Sequence, residues 1–278
     1  MKRMTFSLDR VSAIARNTFL EAVRQKLFHF LVIIAIGIIA SSQFFREFDF
    51  GASELKFITD FGFGAIVFFG SILSIVATAQ LFFSEIENKT ALTILAKPLL
   101  RSEFIIGKFL GVFLVLLVFT LVMTIVLAAL LFWREMALIA QLGEAFDEGE
   151  RVLYGDLFLY GLVQWLKFGI MATITMVVAS FSNTNLYTVI LSFFILIICH
   201  IQYLAREAWA DIAFLPVQLV VWLVGFVFPN FQLFNIADQV ALGQSIPMDI
   251  VGRIVAYGLI YVAVFNFLAI YSFRKREI

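Results

Sequence analysis

Long apolar stretches that carry almost no charge constrain this chain more than any other feature. Several of them reach 18 residues or more, and a helix of about 20 apolar residues crosses the roughly 30 Å hydrocarbon core of a bilayer. Charged residues make up 14% of the 278 residues, whereas they make up about a quarter of an ordinary soluble domain. The sequence therefore predicts an all-α membrane protein and excludes both a soluble domain and a disordered chain.

Six stretches have the length and composition of membrane spans. The third is longer than a single crossing needs, so it either tilts or extends beyond the bilayer. A further apolar segment of 12 residues between Pro216 and Pro229 is too short to cross comfortably, which favours a re-entrant or surface-lying segment over a seventh span. The predicted spans are residues 27–44, 61–83, 104–133, 157–181, 186–203 and 250–273.

The distribution of Lys and Arg orients these spans. With the N-terminus inside, thirteen of the twenty Lys and Arg residues fall in cytoplasmic segments, six fall outside, and Lys167 falls within a span. Cytoplasmic loops of membrane proteins carry an excess of Lys and Arg. We therefore expect a multi-pass protein with both termini in the cytoplasm, and we expect the segment 84–103 on the same side.

Residues 7–26 form a polar segment before the first span. Apolar residues recur there at a spacing of three to four, which predicts an amphipathic helix with Ser7 as its N-cap. We expect this basic helix to lie in the cytoplasmic membrane interface, and a solvated juxtamembrane helix is the alternative. The first 26 residues are too long and too polar for the start of a cleaved signal. The predicted organisation is a cytoplasmic helix over 1–26 and a single transmembrane domain over 27–278.

The sequence contains no familiar catalytic or metal-binding motif. It has no G-x-x-x-x-G-K-[ST] phosphate loop, no G-x-S-x-G, no H-E-x-x-H and no paired-cysteine metal spacing. Cys199 and His200 are adjacent on a helix and point to different faces, so ordinary packing is favoured over a soft-metal site. We predict no catalytic residue, no metal site and no cofactor on this chain, and no nucleic-acid partner.

One ionisable side chain, Lys167, lies deep within a predicted span. The fourth span begins near Asp156, which places Lys167 about 16 Å along it. A charge at that depth costs several kcal/mol unless it faces water or a partner. Lys167 either lines a cavity, snorkels outward or pairs with an acid such as Asp211. The candidate cavity lining follows one stripe of the helix and consists of Tyr160, Gln164, Lys167, Met171 and Thr175.

A compact charged segment separates the second and third spans. It reads SEIENKTALTILAKPLLRSEF over residues 84–104, whereas a plain loop needs only a few turn residues. Pro98 ends a short predicted helix over 90–96. Leu92 and Leu95 give that helix an apolar face suited to a groove on a partner, and the charged residues around it can set the register of docking. We expect a rigid helix that is contacted from the cytoplasm.

This segment resembles the signature of the type-2 ATP-binding-cassette exporter permeases. In that family an acidic pair precedes a Thr-Leu-x-x-Leu turn, which is followed by Lys-Pro or Ser-Pro, by Arg, and by the Gly-Lys that opens the next span. Asn88-Lys89 departs from the Lys-Gly or Arg-Gly that is common there, so the turn at this point can differ. Residues 14–24 resemble the amphipathic connecting helix of the family. Residues 228–234 and 273–277 resemble its last external segment and its cytoplasmic end.

The resemblance implies the permease subunit of an ATP-driven exporter in a bacterial or archaeal cell membrane. It implies a dimer of permease copies in membrane lipid, and a separate cytosolic ABC ATPase that holds ATP and Mg. A non-transporting membrane anchor or assembly factor is the alternative, and an ion-coupled carrier is disfavoured by the lack of midplane acids and inverted repeats. The residues that the resemblance assigns to ATPase coupling are Glu85, Glu87, Lys89, Thr90, Leu92, Leu95, Lys97, Pro98 and Arg101.

Overall fold

The protein is helical throughout the part of the chain that its structure describes. The structure is a computed structural model, and it describes residues 6–44, 54–87, 100–143, 151–209, 215–244 and 246–275. Within these ranges there are nine α-helices and two short 3-10 segments, and there is no strand. Six of the helices are long and apolar enough to cross a membrane. The prediction of an all-α membrane protein with six spans is therefore confirmed.

The helices follow the predicted spans closely. In chain order they are α1 (Leu8–Arg24), α2 (Lys26–Ser41), α3 (Glu54–Glu87), α4 (Arg101–Leu142), α5 (Tyr154–Phe181), α6 (Asn185–Ala208), α7 (Leu215–Val227), α8 (Ala237–Ala241) and α9 (Met248–Lys275). The 3-10 segments are Ser42–Phe44 and Phe231–Phe234. The six candidate spans are α2 with the 3-10 turn that follows it, α3, α4, α5, α6 and α9.

Helix α4 is much longer than a bilayer crossing. Its 42 residues correspond to about 63 Å at 1.5 Å per residue, so the predicted span 104–133 is the apolar middle of a longer rod. No proline interrupts it, and it ends at Gly143, whose φ of 55° lies in the left-handed region. Glycine adopts that conformation without a steric penalty, which is why it commonly terminates helices.

Helix α5 occupies the centre of the bundle. It is apolar on nearly all sides, as expected for a helix surrounded by others. The most apolar 18-residue stretch of α5 is 83% buried, whereas the corresponding stretch of α9 is 17% buried. Close approach depends on small residues: a Cβ atom at Gly70 of α3 would overlap the Phe168 ring of α5. This contact draws α3 and α5 together near the middle of both helices.

Helix α1 packs along the first turns of α4. Gly107 of α4 faces Ile14, and Gly111 faces Thr18. These contacts advance in the same direction along both helices, so α1 and α4 run parallel here. The predicted amphipathic helix is present, and part of its inward face is covered by protein rather than left for lipid. Its buried residues are Val11, Ala15, Thr18 and Ala22.

The segment between α6 and α9 is bent rather than continuous. Helix α7 has 13 residues, about 20 Å, and the helical axis turns by 47° between Gln218–Val227 and Phe231–Ala241. Pro229 lies in the break and lacks a backbone N–H. Gln202 of α6 donates to the Phe228 carbonyl at 3.0 Å. These features fit the predicted re-entrant or surface segment, and a broken seventh span is the other interpretation of the same geometry.

An ion pair joins α3 and α4 at the end of the bundle where α3 begins, here called the distal end. Arg134 of α4 donates from Nε and Nη2 to the two carboxylate oxygens of Glu54, at 2.6 and 2.8 Å. Both side chains are largely buried. Two parallel bonds of this kind fix orientation as well as distance. The start of α3 is thereby held against the outer turns of α4.

Candidate functional site

Charged and polar contacts surround the end of α3 and the start of α4. Helix α1 contacts both, and the end of α9 contacts both through Phe273. We call this the termini end of the bundle because the first and last described helices both contact the start of α4 there. The side chains that make the contacts are Arg10, Glu21, Ser84, Arg101, Glu103 and Lys108, and we call them the stem clamp.

Glu103 is the centre of the stem clamp. It lies in the first turn of α4 and is completely buried. One carboxylate oxygen accepts the Ser7 N–H and the Arg10 Nη2, both at 2.7 Å. The other accepts Arg10 Nε at 2.9 Å and the Leu100 N–H at 3.1 Å. A buried carboxylate is tolerated when donors of this number surround it, and the hydrogen bonds to Glu103 raise the pKa of Arg10 above its ordinary value.

Arg101 joins the start of α4 to the end of α9. Its Nη1 donates to the carbonyls of Phe273 and Arg274, at 3.0 and 2.8 Å. Its guanidinium carbon also lies 5.9 Å from the centre of the Phe273 ring, within the range of a cation–π contact. The last carbonyls of a helix have no partner within the helix. Arg101 supplies partners to two of those of α9.

Two further contacts hold the end of α3. The Lys108 ammonium is buried and donates to the Leu81 carbonyl at 2.9 Å. The Ser84 hydroxyl donates to Glu21 Oε1 at 3.0 Å. Both stems of the segment 88–99 are therefore attached to neighbouring helices, the end of α3 through Lys108 and Ser84, and the start of α4 through Glu103 and Arg101.

A cavity of about 630 Å³ lies in the half of the bundle nearer the distal end. Helices α3, α5 and α6 and the bent segment before α9 form its walls. Phe63 of α3 and Tyr160 of α5 stack in its wall with ring centres 3.8 Å apart. Two carboxylates, Asp60 and Asp238, line the same cavity. The cavity is within the size range of small-molecule sites.

Lys167 projects into this cavity from the midpoint of α5. Its side chain is 5% exposed. Among the described residues it makes neither a hydrogen bond nor an ion pair, and its Nζ lies 5.8 Å from the Phe168 ring centre. Asp211, considered above as a partner, lies outside the described residues. The neighbouring Gln164 donates to the Phe234 carbonyl at 2.9 Å, while its own buried oxygen has no hydrogen-bond partner in the described part of the chain.

Only part of the predicted cavity lining on α5, up to Lys167, faces this cavity. Tyr160, Gln164 and Lys167 line the cavity, whereas Met171 and Thr175 are buried and do not line it. The Thr175 hydroxyl instead donates to the Met171 carbonyl at 2.9 Å. The physical reason is the contact between Gly70 and Phe168, which closes α3 onto α5 one residue beyond Lys167. The role of these residues in transport stays a prediction.

Cys199 and His200 take part in packing in this structure. Cys199 is buried with a free thiol. His200 donates from Nδ1 to the Leu196 carbonyl at 2.9 Å and meets the Phe231 ring edge-on at 5.3 Å. Over the ranges that the structure describes, no group of three or more His, Cys, Asp or Glu side chains could hold a metal ion.

A family model described as ABC-2 family transporter protein matches residues 24–199. The match covers more than half of the chain and includes all of α3, α4 and α5. The chain belongs to the ABC-2 transporter family. It is a multi-pass membrane transport subunit, which confirms the resemblance in the segment between α3 and α4. No individual curated protein matches the chain.

The residues expected to couple this ABC-2 subunit to an ATPase fall mostly outside the described part of the chain. Glu85 and Glu87 belong to the last turn of α3, and their side chains are not described. Arg101 is described and contacts α9. The expected coupling helix over 90–96 stays a prediction, and so do its individual residues. Those outside the described ranges are Lys89, Thr90, Leu92, Leu95, Lys97 and Pro98.

Of the six stem-clamp residues of this ABC-2 chain, only Arg101 was among the site residues predicted from the sequence. Glu103 carried a signal, because an acid three residues after the N-cap position is a mark of a helix start. Its partner Arg10 lies 93 residues away, and no local pattern links the two. Arg10 and Phe273 also lie beyond the matched range 24–199, although both contact residues within it.

Proposed function

We propose that this ABC-2 subunit is the permease half of an ATP-driven exporter that is coupled through the segment 84–103. Two permease copies form the dimer, and each is served by a separate cytosolic ATPase that binds ATP and Mg. Both termini lie in the cytoplasm of a bacterial or archaeal cell. Closure of the ATPases on ATP pushes the two coupling segments, and the spans follow between inward and outward states.

The observation that carries this proposal is the stem clamp. A docking event at residues 88–99 moves the bilayer-crossing helices only when the stems of that segment are stiff. Glu103 and Arg101 attach one stem to α1 and α9, and Lys108 and Ser84 attach the other to α4 and α1. A buried, fully hydrogen-bonded carboxylate is costly to pull from its donors. Displacement of the segment is therefore transmitted to α3 and α4 rather than absorbed in the stems.

The docking surface itself follows from the chemistry of the segment. Leu92 and Leu95 offer the apolar face, and Glu85, Glu87, Lys89 and Lys97 provide charges of both signs that select one register. Arg101 donates to α9, so we assign it to the stem rather than to the surface that meets the ATPase. Thr90 and Pro98 delimit the short helix that the sequence predicts.

The location of the segment is tested by cysteine labelling. Thr93→Cys in a Cys199→Ala background is treated with a membrane-impermeant maleimide in intact and in permeabilised cells. We expect labelling only after permeabilisation, and Leu242→Cys near the distal end serves as the opposite control. Labelling of Thr93→Cys in intact cells contradicts the orientation and with it the coupling role.

The coupling itself is tested by coexpression with a phosphate-loop ATPase encoded beside the gene. Leu92→Arg or Leu95→Arg places a charge in the apolar face, and we expect loss of ATPase copurification and of permease-stimulated ATP hydrolysis. Leu242→Arg makes the same change at an exposed leucine and is expected to preserve both. A complex that copurifies but never hydrolyses ATP favours the alternative, an anchor that only recruits a cytosolic protein.

A further inference from the structure

We propose that the Lys167 cavity binds an amphiphile through its anionic headgroup, a phosphate or a carboxylate, with the apolar chain lying along the open side of α3. This inference rests on the proposed function in one respect, because a transport path must contain a site for its cargo. It goes beyond that function by naming the chemical class of the cargo.

Lys167 carries a charge that no described residue compensates with an ion pair or a hydrogen bond. The ammonium lies at the midpoint of α5, and a charge at that depth is costly unless it is paired or hydrated. The Phe168 ring and, in the same cavity, Gln164 and His200 carry no negative charge, and the two carboxylates of the cavity, Asp60 and Asp238, lie toward its Tyr160 end. No described carboxylate forms an ion pair with it. A ligand with a negative headgroup supplies the missing partner in a medium where that interaction is strong.

The walls of the cavity are largely apolar. Phe63, Phe193 and Phe231 line it from three different segments, and a volume of about 630 Å³ is larger than a headgroup alone requires. Aromatic walls favour a ligand with an apolar body over a hydrated inorganic ion. The cavity therefore suits a ligand that carries its charge at one end of a hydrocarbon chain.

The cavity opens sideways along α3. Most of α3 is buried, yet Gly64 and Phe68 are exposed in its middle and line the cavity. Phe68 is 61% exposed, and a Cβ atom at Gly64 would meet nothing within 4 Å. One face of the helix thus borders an opening that runs along the axis of α3. The chain of an amphiphile can occupy that opening while its headgroup reaches Lys167.

The carboxylates Asp60 and Asp238 indicate which route the ligand takes. They lie near Tyr160, seven residues before Lys167 on α5, which corresponds to about 10 Å. Two carboxylates at that end of the cavity repel a free anion that enters from water, and their exposure to solvent weakens this effect at the depth of Lys167. An amphiphile that enters through the side along α3 avoids them. This arrangement disfavours inorganic phosphate as the ligand.

The proposal is tested by direct binding, with the full chain in nanodiscs and without an ATPase. Radiolabelled dodecyl phosphate is the probe, and binding to empty nanodiscs is subtracted. We expect saturable binding that inorganic phosphate and dodecyltrimethylammonium do not displace. Competition by inorganic phosphate at equal concentration overturns the amphiphile, and competition by dodecyltrimethylammonium overturns the anionic headgroup.

Substitution of Lys167 tests whether its charge holds the headgroup. Lys167→Gln removes a charged hydrogen-bond donor, so we expect affinity to fall about 10-fold or more, whereas Lys167→Arg retains binding. Arg253→Gln removes a positive charge that is exposed and outside the cavity and is expected to leave the affinity unchanged. Unchanged binding in Lys167→Gln overturns the proposal.

A steric variant tests the side opening without touching the charge. Gly64→Leu places a side chain in the open space, and we expect it to weaken binding of dodecyl phosphate. Gly37→Leu is the matched control, since a Cβ atom at Gly37 of α2 also meets nothing within 4 Å and this position is outside the cavity. Equal affinities in the two glycine variants overturn the lateral binding mode.

The melting temperature of Lys167→Met separates a ligand site from a structural ion pair. Without a protein partner for Lys167, the empty variant melts at the same temperature as the parent chain or above it. A steep fall in melting temperature shows instead that Lys167 pairs with a carboxylate, from Asp211 or from a second copy of the chain, and overturns the proposal.

The ligand site and the coupled-transport function can fail separately. Binding of dodecyl phosphate without any stimulation of an ATPase supports the ligand site and contradicts the coupled-transport function. Permease-stimulated ATP hydrolysis without binding of dodecyl phosphate supports the coupled-transport function and contradicts the ligand site.

Discussion

The stem clamp and the Lys167 cavity both contain buried charged side chains, but within the described part of the chain the charges are paired only in the stem clamp. Each contains a buried charge, one at the end of the bundle and one at the midpoint of α5, and a buried charge without a partner is costly. Glu103 is completely buried and accepts four hydrogen bonds, and the buried Lys108 donates to a backbone carbonyl. Lys167 is almost as buried and has no such partner among the described residues. A buried charge that is paired within its own chain stabilises the fold. A buried charge without such a partner indicates a site for a ligand or for another chain.

This contrast has an energetic consequence. Removal of one partner from a buried pair leaves the other partner desolvated and unpaired, which destabilises strongly. Removal of a charge that had no protein partner leaves no such orphan. Neutralising substitutions in the two regions should therefore change the melting temperature in opposite directions or by very different amounts. Glu103, Lys108 and Lys167 are similarly buried, so burial alone does not account for such a difference.

The largest effect on stability is expected from Glu103→Gln. The amide cannot accept from all four donors, and it leaves the Arg10 guanidinium without its counter-charge. We expect the apparent Tm to fall by about 5 °C or more, measured by fluorescence-detected size exclusion in detergent. Arg253→Gln is the control, because its ion pair with Asp249 is long and exposed and pairs of that kind contribute little. An equal shift in both variants contradicts the structural role of the stem clamp.

A smaller loss is expected from Arg134→Gln at the distal end. This substitution breaks the double hydrogen bond to Glu54, and hydrogen bonds to charged groups contribute about 1.5–3 kcal/mol. The pair is partly exposed, so the shift in Tm should be smaller than that of Glu103→Gln. ATPase stimulation by the permease is expected to persist in this variant, because the ion pair lies far from the segment 88–99. A larger effect on stimulation than on Tm would place part of the coupling path at this end.

The two buried lysines sharpen the comparison directly. Lys108→Met loses the bond to the Leu81 carbonyl, and we expect a modest fall in Tm of about 1–3 °C, on the scale of one lost hydrogen bond. Lys167→Met is expected to leave Tm unchanged or to raise it. Both proteins are purified and melted side by side without added ligand. A reversed order of the two midpoints removes the distinction between the two regions.

The smallest effect on stability is expected from Arg101→Gln. It loses the hydrogen bonds to the two carbonyls at the end of α9, which water can replace because this end of the helix is partly exposed. We expect a Tm within about 1 °C of the parent, on the scale of exposed surface changes. The coupling role predicts a reduced rate of permease-stimulated ATP hydrolysis even so. Full stimulation in this variant shows that α9 does not need to be joined to the start of α4.

What the sequence determined by itself was the set of crossings and the general nature of the protein. The spans were predictable because each apolar run must satisfy its backbone hydrogen bonds within one helix, so a local pattern decides the structure. Local patterns also predicted the amphipathic α1, the long α4 and the short apolar segment between Pro216 and Pro229. The segment between α3 and α4 also indicated the ABC-2 family.

Only the tertiary structure decided which charges are satisfied. Arg10 reaches Glu103 across 93 residues, and Gly70 of α3 meets Phe168 of α5 with all of α4 between them in the sequence, so no local spacing encodes either contact. The Gly70–Phe168 contact separates Lys167 from Met171, which share one stripe of α5 but not one cavity. Helical periodicity specifies which residues share a face, while packing against distant segments specifies whether that face meets protein or open space.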